Sequence, residues 1–229
     1  MRGARPHEHA LLLNERRDVI LAGALLAAAV AMLVLMAIPA TKDAIQRIDN
    51  AFLRTMVDSR SQPVTFIAKV FNVLGLTFVT LPVRLVVAGY LALKARWWHF
   101  AAFVSAMVAS ELCIGPIKAI YDRARPPGSL VSTTGASFPS GHAVAASVTA
   151  LAIVIALFPP RHRTLWGAVA VTFSLLMALS RAYLAAHWLS DAITGVLLGS
   201  AIALWSAIVV QWVREQVERR RAPPERIAA

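Results

Sequence analysis

Long apolar runs separated by short polar ones set the architecture of this chain. Six stretches, 19–38, 75–93, 98–117, 142–159, 165–183 and 192–212, carry few charges. Each approaches the about 20 residues that a helix needs to cross a hydrocarbon layer of about 30 Å. The expected fold is therefore all-α: a polytopic membrane helix bundle with six transmembrane helices, folded as a single membrane-embedded domain over 1–229. Polar tails at 1–18 and 214–229 flank it; from about Arg214 the second reads as a polar helical extension or a frayed tail, and Pro223-Pro224 would end any helix there. Arg84 interrupts the second stretch; a charge there must face the protein, pair, or snorkel to the interface.

Between the first two stretches, Asp43 to Asp58 is too charged to cross a membrane. Ile45, Ile48, Phe52 and Met56 nevertheless recur at steps of three and four, which draws one apolar stripe along a helix. The expectation is an interfacial amphipathic helix lying on the membrane surface. A lid packed on the bundle would give the same pattern, and either would stand near a lipid entrance.

Composition sharpens this picture. Of the 229 residues, 58% are hydrophobic and 15% charged, against roughly 25% charged in an average soluble domain. The 23 Lys and Arg exceed the 12 Asp and Glu, for a formal charge of +11. In a soluble protein that excess would raise the question of nucleic acid, but no RNA or DNA motif is present. Here basic residues gather in short loops and tails, where they fix orientation and meet anionic lipid heads. Arg2, Arg5, Arg16 and Arg17, then Lys94 and Arg96, then Arg161 and Arg163, then Arg214 to Arg226 all fall on one side of a six-span bundle. The positive-inside rule makes that side cytoplasmic, with 39–74, 118–141 and 184–191 facing outward. Cys113 has no partner, so neither an internal disulfide nor a cysteine metal cluster is expected. The first apolar stretch is too long for a signal core and lacks a clear small-residue cleavage site, which predicts a retained span.

Three polar clusters break the apolar pattern, and in the six-span arrangement all fall at the outer face. They are Lys118 to Arg125-Pro126, Phe138-Pro139-Ser140-Gly141-His142, and Ser180-Arg181 through His187 to Asp191. His187 and Asp191, four residues apart, would share a helix face, so Asp191 could accept a hydrogen bond from the imidazole N–H. A carboxylate on one ring nitrogen fixes the tautomer and makes the other nitrogen a better nucleophile or base. A helix-end histidine beside an unrelated capping carboxylate would look the same. His142 follows Ser140-Gly141 at the expected start of the fourth span, where helix amides favour an anion and Ser140 can cap or donate; an ordinary Pro-Ser-Gly turn is the plainer alternative. Lys118, Arg125 and Arg181 repel one another beside a membrane unless an anion arrives, and a phosphate relieves that cost. Arg123 and Asp122 read as bystanders.

Together these clusters resemble the type-2 phosphatidic acid phosphatase superfamily, the lipid phosphate phosphatases that share a catalytic pattern with vanadium haloperoxidases. The family pattern K-x(6)-R-P, P-S-G-H and S-R-x(5)-H-x(3)-D is met by Lys118 to Arg125-Pro126, Pro139 to His142, and Ser180-Arg181 to His187 to Asp191. The matched region, about 118–191, covers roughly a third of the chain.

The resemblance implies that His187 attacks phosphorus to form a phosphohistidine, that Asp191 orients it, and that His142 protonates the leaving group and then activates water. It implies phosphate binding by Lys118, Arg125 and Arg181, with donors from Ser140, Ser180 and the Gly141 N–H. No metal or other cofactor is required. The implied activity is that of an integral membrane lipid phosphate phosphatase, acting in a bacterial cell membrane with its site on the extracytoplasmic face. Phosphatidic acid, phosphatidylglycerol phosphate and a polyprenyl diphosphate such as the undecaprenyl carrier are the implied substrates. Two other readings remain open: a His142, His187, Asp191 metal-dependent hydrolase, and a lipid transporter or binding module that cleaves nothing.

Overall fold

A computed structural model describes residues 16–221, and among these every regular element is a helix. The order is α1 (Arg16–Ala37), α2 (Pro39–Asp58), α3 (Gln62–Leu74), α4 (Thr77–Leu93), α5 (Trp97–Tyr121), α6 (Gly141–Leu157), α7 (Pro160–Tyr183) and α8 (Leu189–Arg221). Each of the six apolar stretches forms a helix: α1, α4, α5, α6, α7 and α8. Of these, α1, α5, α7 and α8 are long and apolar enough to cross a membrane. A fifth crossing is formed if α3 and α4 act as one span bent by 52°, and α6 is a shorter apolar helix of 17 residues. By length and composition the described helices thus supply four or five crossings, where six are expected. The second span is broken at Gly75-Leu76 and carries α3 as an extension, and α6, roughly 25 Å long, sits inside the bundle.

From about Arg214 the chain forms the polar helical extension that was one of the two expected forms. Helix α8 continues through 214–221, where Arg214 and Glu218 form an i,i+4 pair at 2.7 Å. Residues 1–15 and 222–229, with Arg2, Arg5 and Pro223-Pro224, lie outside the described residues.

Packing centres on α6, which lies against α8, α7 and α5. The close approach of α8 depends on Gly195 and Gly199, one turn apart. A Cβ on Gly195 would stand 2.7 Å from the Ser140 carbonyl oxygen and 2.8 Å from Ala143 Cβ, and one on Gly199 would stand 2.6 Å from the Val144 carbonyl oxygen. Small residues at such spacing let membrane helices meet backbone to backbone. As a result the Ser140 N–H donates to the Asp191 carbonyl at 3.0 Å, which ties the start of α6 to the start of α8.

Helix α2 packs on α1, α7 and α8. Those contacts are the ones a lid would make. The apolar stripe is only half covered, since Ile48 is 62% exposed, and the buried side chain of this helix is a carboxylate, Asp49. Arg84 pairs: its Nε donates to Thr149 Oγ1 at 2.9 Å and its NH1 to Glu111 Oε1 at 2.9 Å.

Candidate active site

The ends of four helices and one long connection meet at a single place. Helix α5 ends just beyond Lys118, where Asp122 takes a left-handed conformation (φ 33°) and stops it. The chain then runs without regular structure from 122 to 140 before α6 begins at Gly141. Connections of that length inside a packed domain are uncommon and are usually functional. Here the loop is held by Arg125, whose guanidinium donates to the carbonyls of Gly135 (3.0 Å), Thr134 (2.7 Å) and Ala186 (2.7 Å). Lys118 Nζ donates to the Ala136 carbonyl at 2.5 Å.

His187 follows α7 in the connection to α8 and is 3% exposed. Its Nδ1 lies 2.7 Å from the Ser137 carbonyl oxygen, and its Nε2 lies 3.2 Å from Arg125 NH1. A carbonyl can only accept and a guanidinium can only donate. The ring is therefore neutral with its proton on Nδ1, and the Nε2 lone pair faces Arg125. The expected hydrogen bond to Asp191 is replaced: Asp191 Oδ2 stands 3.7 Å from Nδ1, too far for one. Asp191 turns because α8 only begins at Leu189; Oδ2 instead caps the helix by accepting from the Trp188 N–H at 2.9 Å, and it also accepts from the Ser137 hydroxyl. Burial is the main reason that the His187 pKa falls to about 4; the Arg181 and Arg125 charges lower it further, and Asp191 opposes them.

The remaining predicted residues gather around this imidazole. Arg181 is 2% exposed, donates through NH1 to Asn72 Oδ1, and keeps its Nε without a partner. His142, in the first turn of α6, lies within electrostatic reach of Arg181, His187 and Arg125, and its Nε2 is buried with no partner. The space beside Gly141 is open, with nothing within 4 Å of where a Cβ would stand. Ser140 is the N-cap of α6, its hydroxyl accepting from the Ala143 N–H at 3.4 Å. Ser180 makes a bond within its own helix. Its proton is committed to the Met177 carbonyl at 2.7 Å, one turn back in α7.

Several residues that the sequence reading passed over complete the arrangement. Arg123 is not a bystander. It is 5% exposed and donates to Asp191 Oδ1 (2.5 Å), Ser190 Oγ (2.7 Å), Gln46 Oε1 (2.6 Å) and Asp49 Oδ2 (2.7 Å). Asp49, 2% exposed, also accepts from the Ser190 N–H (2.9 Å) and hydroxyl (2.6 Å). One guanidinium thus bridges two buried carboxylates and fastens α2 beneath the carboxylate that flanks His187. On the other side, Gly75 ends α3 against His142, where a Cβ would overlap the imidazole. The only sequence signal for Arg123 was its place between the matched Lys118 and Arg125, and Asp49 gave none beyond being a charge in an amphipathic helix.

Lys118, Arg123, Arg125 and Arg181 face Asp49 and Asp191, a surplus of two positive charges around a neutral ring. That matches the charge of about −1.5 to −2 on a phosphate monoester at neutral pH. Among the described residues no three His, Cys, Asp or Glu side chains converge on a point that could hold a metal ion.

Comparison with known proteins follows the same lines. Phosphatidylglycerophosphatase B of Bacillus subtilis is 24% identical over 185 residues, covering 78% of this chain and 89% of that protein. The enzyme of the same name from Escherichia coli K12 is 32% identical over 91 residues, 40% of this chain and 34% of its own length. A crystal structure titled as a transmembrane PAP2-type phosphatidylglycerolphosphate phosphatase from Bacillus subtilis shares the fold, with a TM-score of 0.72 at 22% identity over 87% of this chain and 98% of that one. The PAP2 superfamily model matches residues 99–215, just over half of the chain and every residue of the three polar clusters. The protein belongs to the PAP2 superfamily of membrane phosphatases.

Proposed function

We propose that the protein hydrolyses a phosphate monoester or diphosphate carried on a membrane lipid, through a phosphohistidine on His187. The observation that carries this reading is the Nε2 lone pair of a neutral, buried imidazole facing a cluster whose surplus charge fits one phosphate. Substrate phosphate takes the place that Arg125 NH1 now holds against Nε2. The Nε2 lone pair forms the N–P bond as the P–O bond to the lipid breaks, and the bonding electrons leave on oxygen. His142 gives that oxygen a proton, and the approaching dianion favours the protonated ring that can do so. Water then loses a proton to His142, attacks phosphorus and breaks the P–N bond, which returns both rings to their starting state.

Lys118, Arg125 and Arg181 hold the nonbridging oxygens and offset charge as it develops, helped by the Gly141 N–H at the start of α6 and by Ser140. With three cations doing this, the reaction runs without a metal ion. Asp191 acts at one remove, through Ser137, whose hydroxyl donates to the carboxylate and whose carbonyl accepts the hydrogen bond from His187 Nδ1–H. The excess of basic residues at the opposite ends of the helices supports an extracytoplasmic site. The names of the relatives support phosphatidylglycerol phosphate among the substrates; phosphatidic acid and polyprenyl diphosphates carry the same reacting group.

Phosphate release from these lipids by detergent-purified protein, with a chelator present, tests the proposal. Hydrolysis that resists chelation and disappears in His187→Ala is expected. Hydrolysis that survives in His187→Ala, or that needs added metal, would overturn it.

A further inference from the structure

Outside the catalytic cluster, Arg60, Ser61, Gln62, Thr65, Phe66 and Lys69 line an open cavity of about 460 Å³, within the about 300–1,000 Å³ usual for ligand sites. It is joined to the phosphate site through α3 and α7. The Tyr183 hydroxyl accepts from the Ser61 N–H at 3.0 Å and bonds Thr65 Oγ1 at 3.0 Å, which pins the start of α3 to α7. Two residues earlier in α7, Arg181 grips Asn72, which lies one turn beyond Lys69 in α3. Lys69 and Asn72 are therefore separated by about 4.5 Å along the helix axis, and Tyr183 and Arg181 by about 3 Å.

Two cations in this cavity have no carboxylate partner among the described residues. Arg60 reaches only the Gly128 and Tyr183 carbonyls, at 3.4 and 3.5 Å, and its Nε is buried without a partner. Lys69 is exposed and makes no hydrogen bond or ion pair. Such groups are costly to leave unmatched beside a membrane. The same helix exposes apolar side chains, Phe66 at 69%, Ile67 at 55% and Val70 at 41%, as suits contact with acyl or isoprenoid chains.

We propose that the Arg60–Lys69 cavity is a second anion subsite, receiving a charged group that stands between the reacting phosphate and the lipid tail. It rests on the phosphatase reading above and gives that site a substrate preference. Lipids bearing two anionic groups, as a phosphodiester plus a terminal phosphate or as a diphosphate, are favoured over lipids bearing one. The membrane itself offers the tail nearly the same environment as the protein does, so discrimination falls to the charged groups.

The test compares phosphatidylglycerol phosphate with phosphatidic acid in uncharged detergent micelles, using the full-length protein and its Arg60→Gln/Lys69→Gln double variant. Wild type is expected to favour the two-anion lipid in kcat/KM. The double variant is expected to lose about tenfold of that preference, chiefly through KM, as loss of charge-assisted bonds predicts. Arg60→Lys should keep part of it. An unchanged ratio, or an equal loss on both lipids, would overturn the proposal. So would an effect that arises only when anionic bulk lipid is added, because the cavity would then serve surrounding lipid. If wild type cleaves neither lipid, the phosphatase reading itself fails, an outcome distinct from the others.

Discussion

Replacing Arg123 with methionine probes the support beneath His187. The substitution keeps most of the side-chain volume and removes the one cation shared by Asp49 and Asp191. Both carboxylates are essentially inaccessible, at 2% and 0% exposure, and Arg123 spans them with bonds of 2.7 and 2.5 Å. Breaking a buried pair by removing one partner costs about 3–5 kcal/mol, because the other charge stays behind. In a protein of this size each kcal/mol moves the melting temperature by about 2–4 °C, so Arg123→Met should lower it by roughly 6–20 °C. Asp49→Asn alone leaves Arg123 matched to Asp191 and should cost only about 1–3 kcal/mol, the worth of hydrogen bonds to a charged group. Combining the two removes one of the stranded charges. The double variant should therefore be more stable than Arg123→Met, with a coupling of at least about 1 kcal/mol. Its turnover should stay low, since Asp191 still lacks its cation. The assay is thermal unfolding in detergent, paired with phosphate release. Loss of less than about 1 kcal/mol in Arg123→Met, or strictly additive effects in the double variant, would refute the reasoning.

Other consequences are equally direct. Gly75→Ala places a methyl group where the His142 ring now stands; kcat should fall at least about tenfold with the fold retained, and normal turnover would show that His142 is free to move. Ser180→Ala should change kcat/KM by less than about threefold and cost about 1 kcal/mol of stability, since the hydroxyl serves the Met177 carbonyl; a loss of about a hundredfold would restore it as a phosphate donor. The His187 pKa lies near 4 in the folded protein, below its ordinary value of about 6.5. The unfolded chain therefore takes up this proton first as pH falls. The stability linked to it is intact above about pH 6.5 and declines toward pH 4, by about 3 kcal/mol in all. Melting curves of His187→Gln against wild type across that window should converge as the pH drops, and parallel curves would contradict the shift.

The apolar spacing made the helices legible, because burial in lipid or core leaves a period in the sequence, and the three polar clusters made the outer site legible because motif residues stay close along the chain. What escaped was the network joining distant parts. Asp49 precedes Ser190 by 141 residues and Arg123 by 74, and a pairing across such distances leaves no local pattern. Arg123 resembled any arginine at a membrane surface, and only its burial between two carboxylates distinguishes it. Ser137 acts through its backbone carbonyl, which no side-chain identity can announce. Helix α3 was read as loop because its polar face, with Lys69 and Asn72, interrupts the apolar run that continues into α4. The spacing of His187 and Asp191 suggested a shared helix face, but α8 starts only after His187, and the carboxylate turns to cap it.

The bond between phosphorus and His187 is the central step of the proposed reaction. Rapid acid-free quench of the purified enzyme with a lipid substrate labelled in its terminal phosphate, followed by proteolysis and mass spectrometry, reads that bond out. Label on the peptide containing His187, absent in His187→Ala and persisting longer in His142→Ala, is the predicted result. Phosphate release at full rate with no labelled enzyme under any quench time, or with label on another residue, would contradict it.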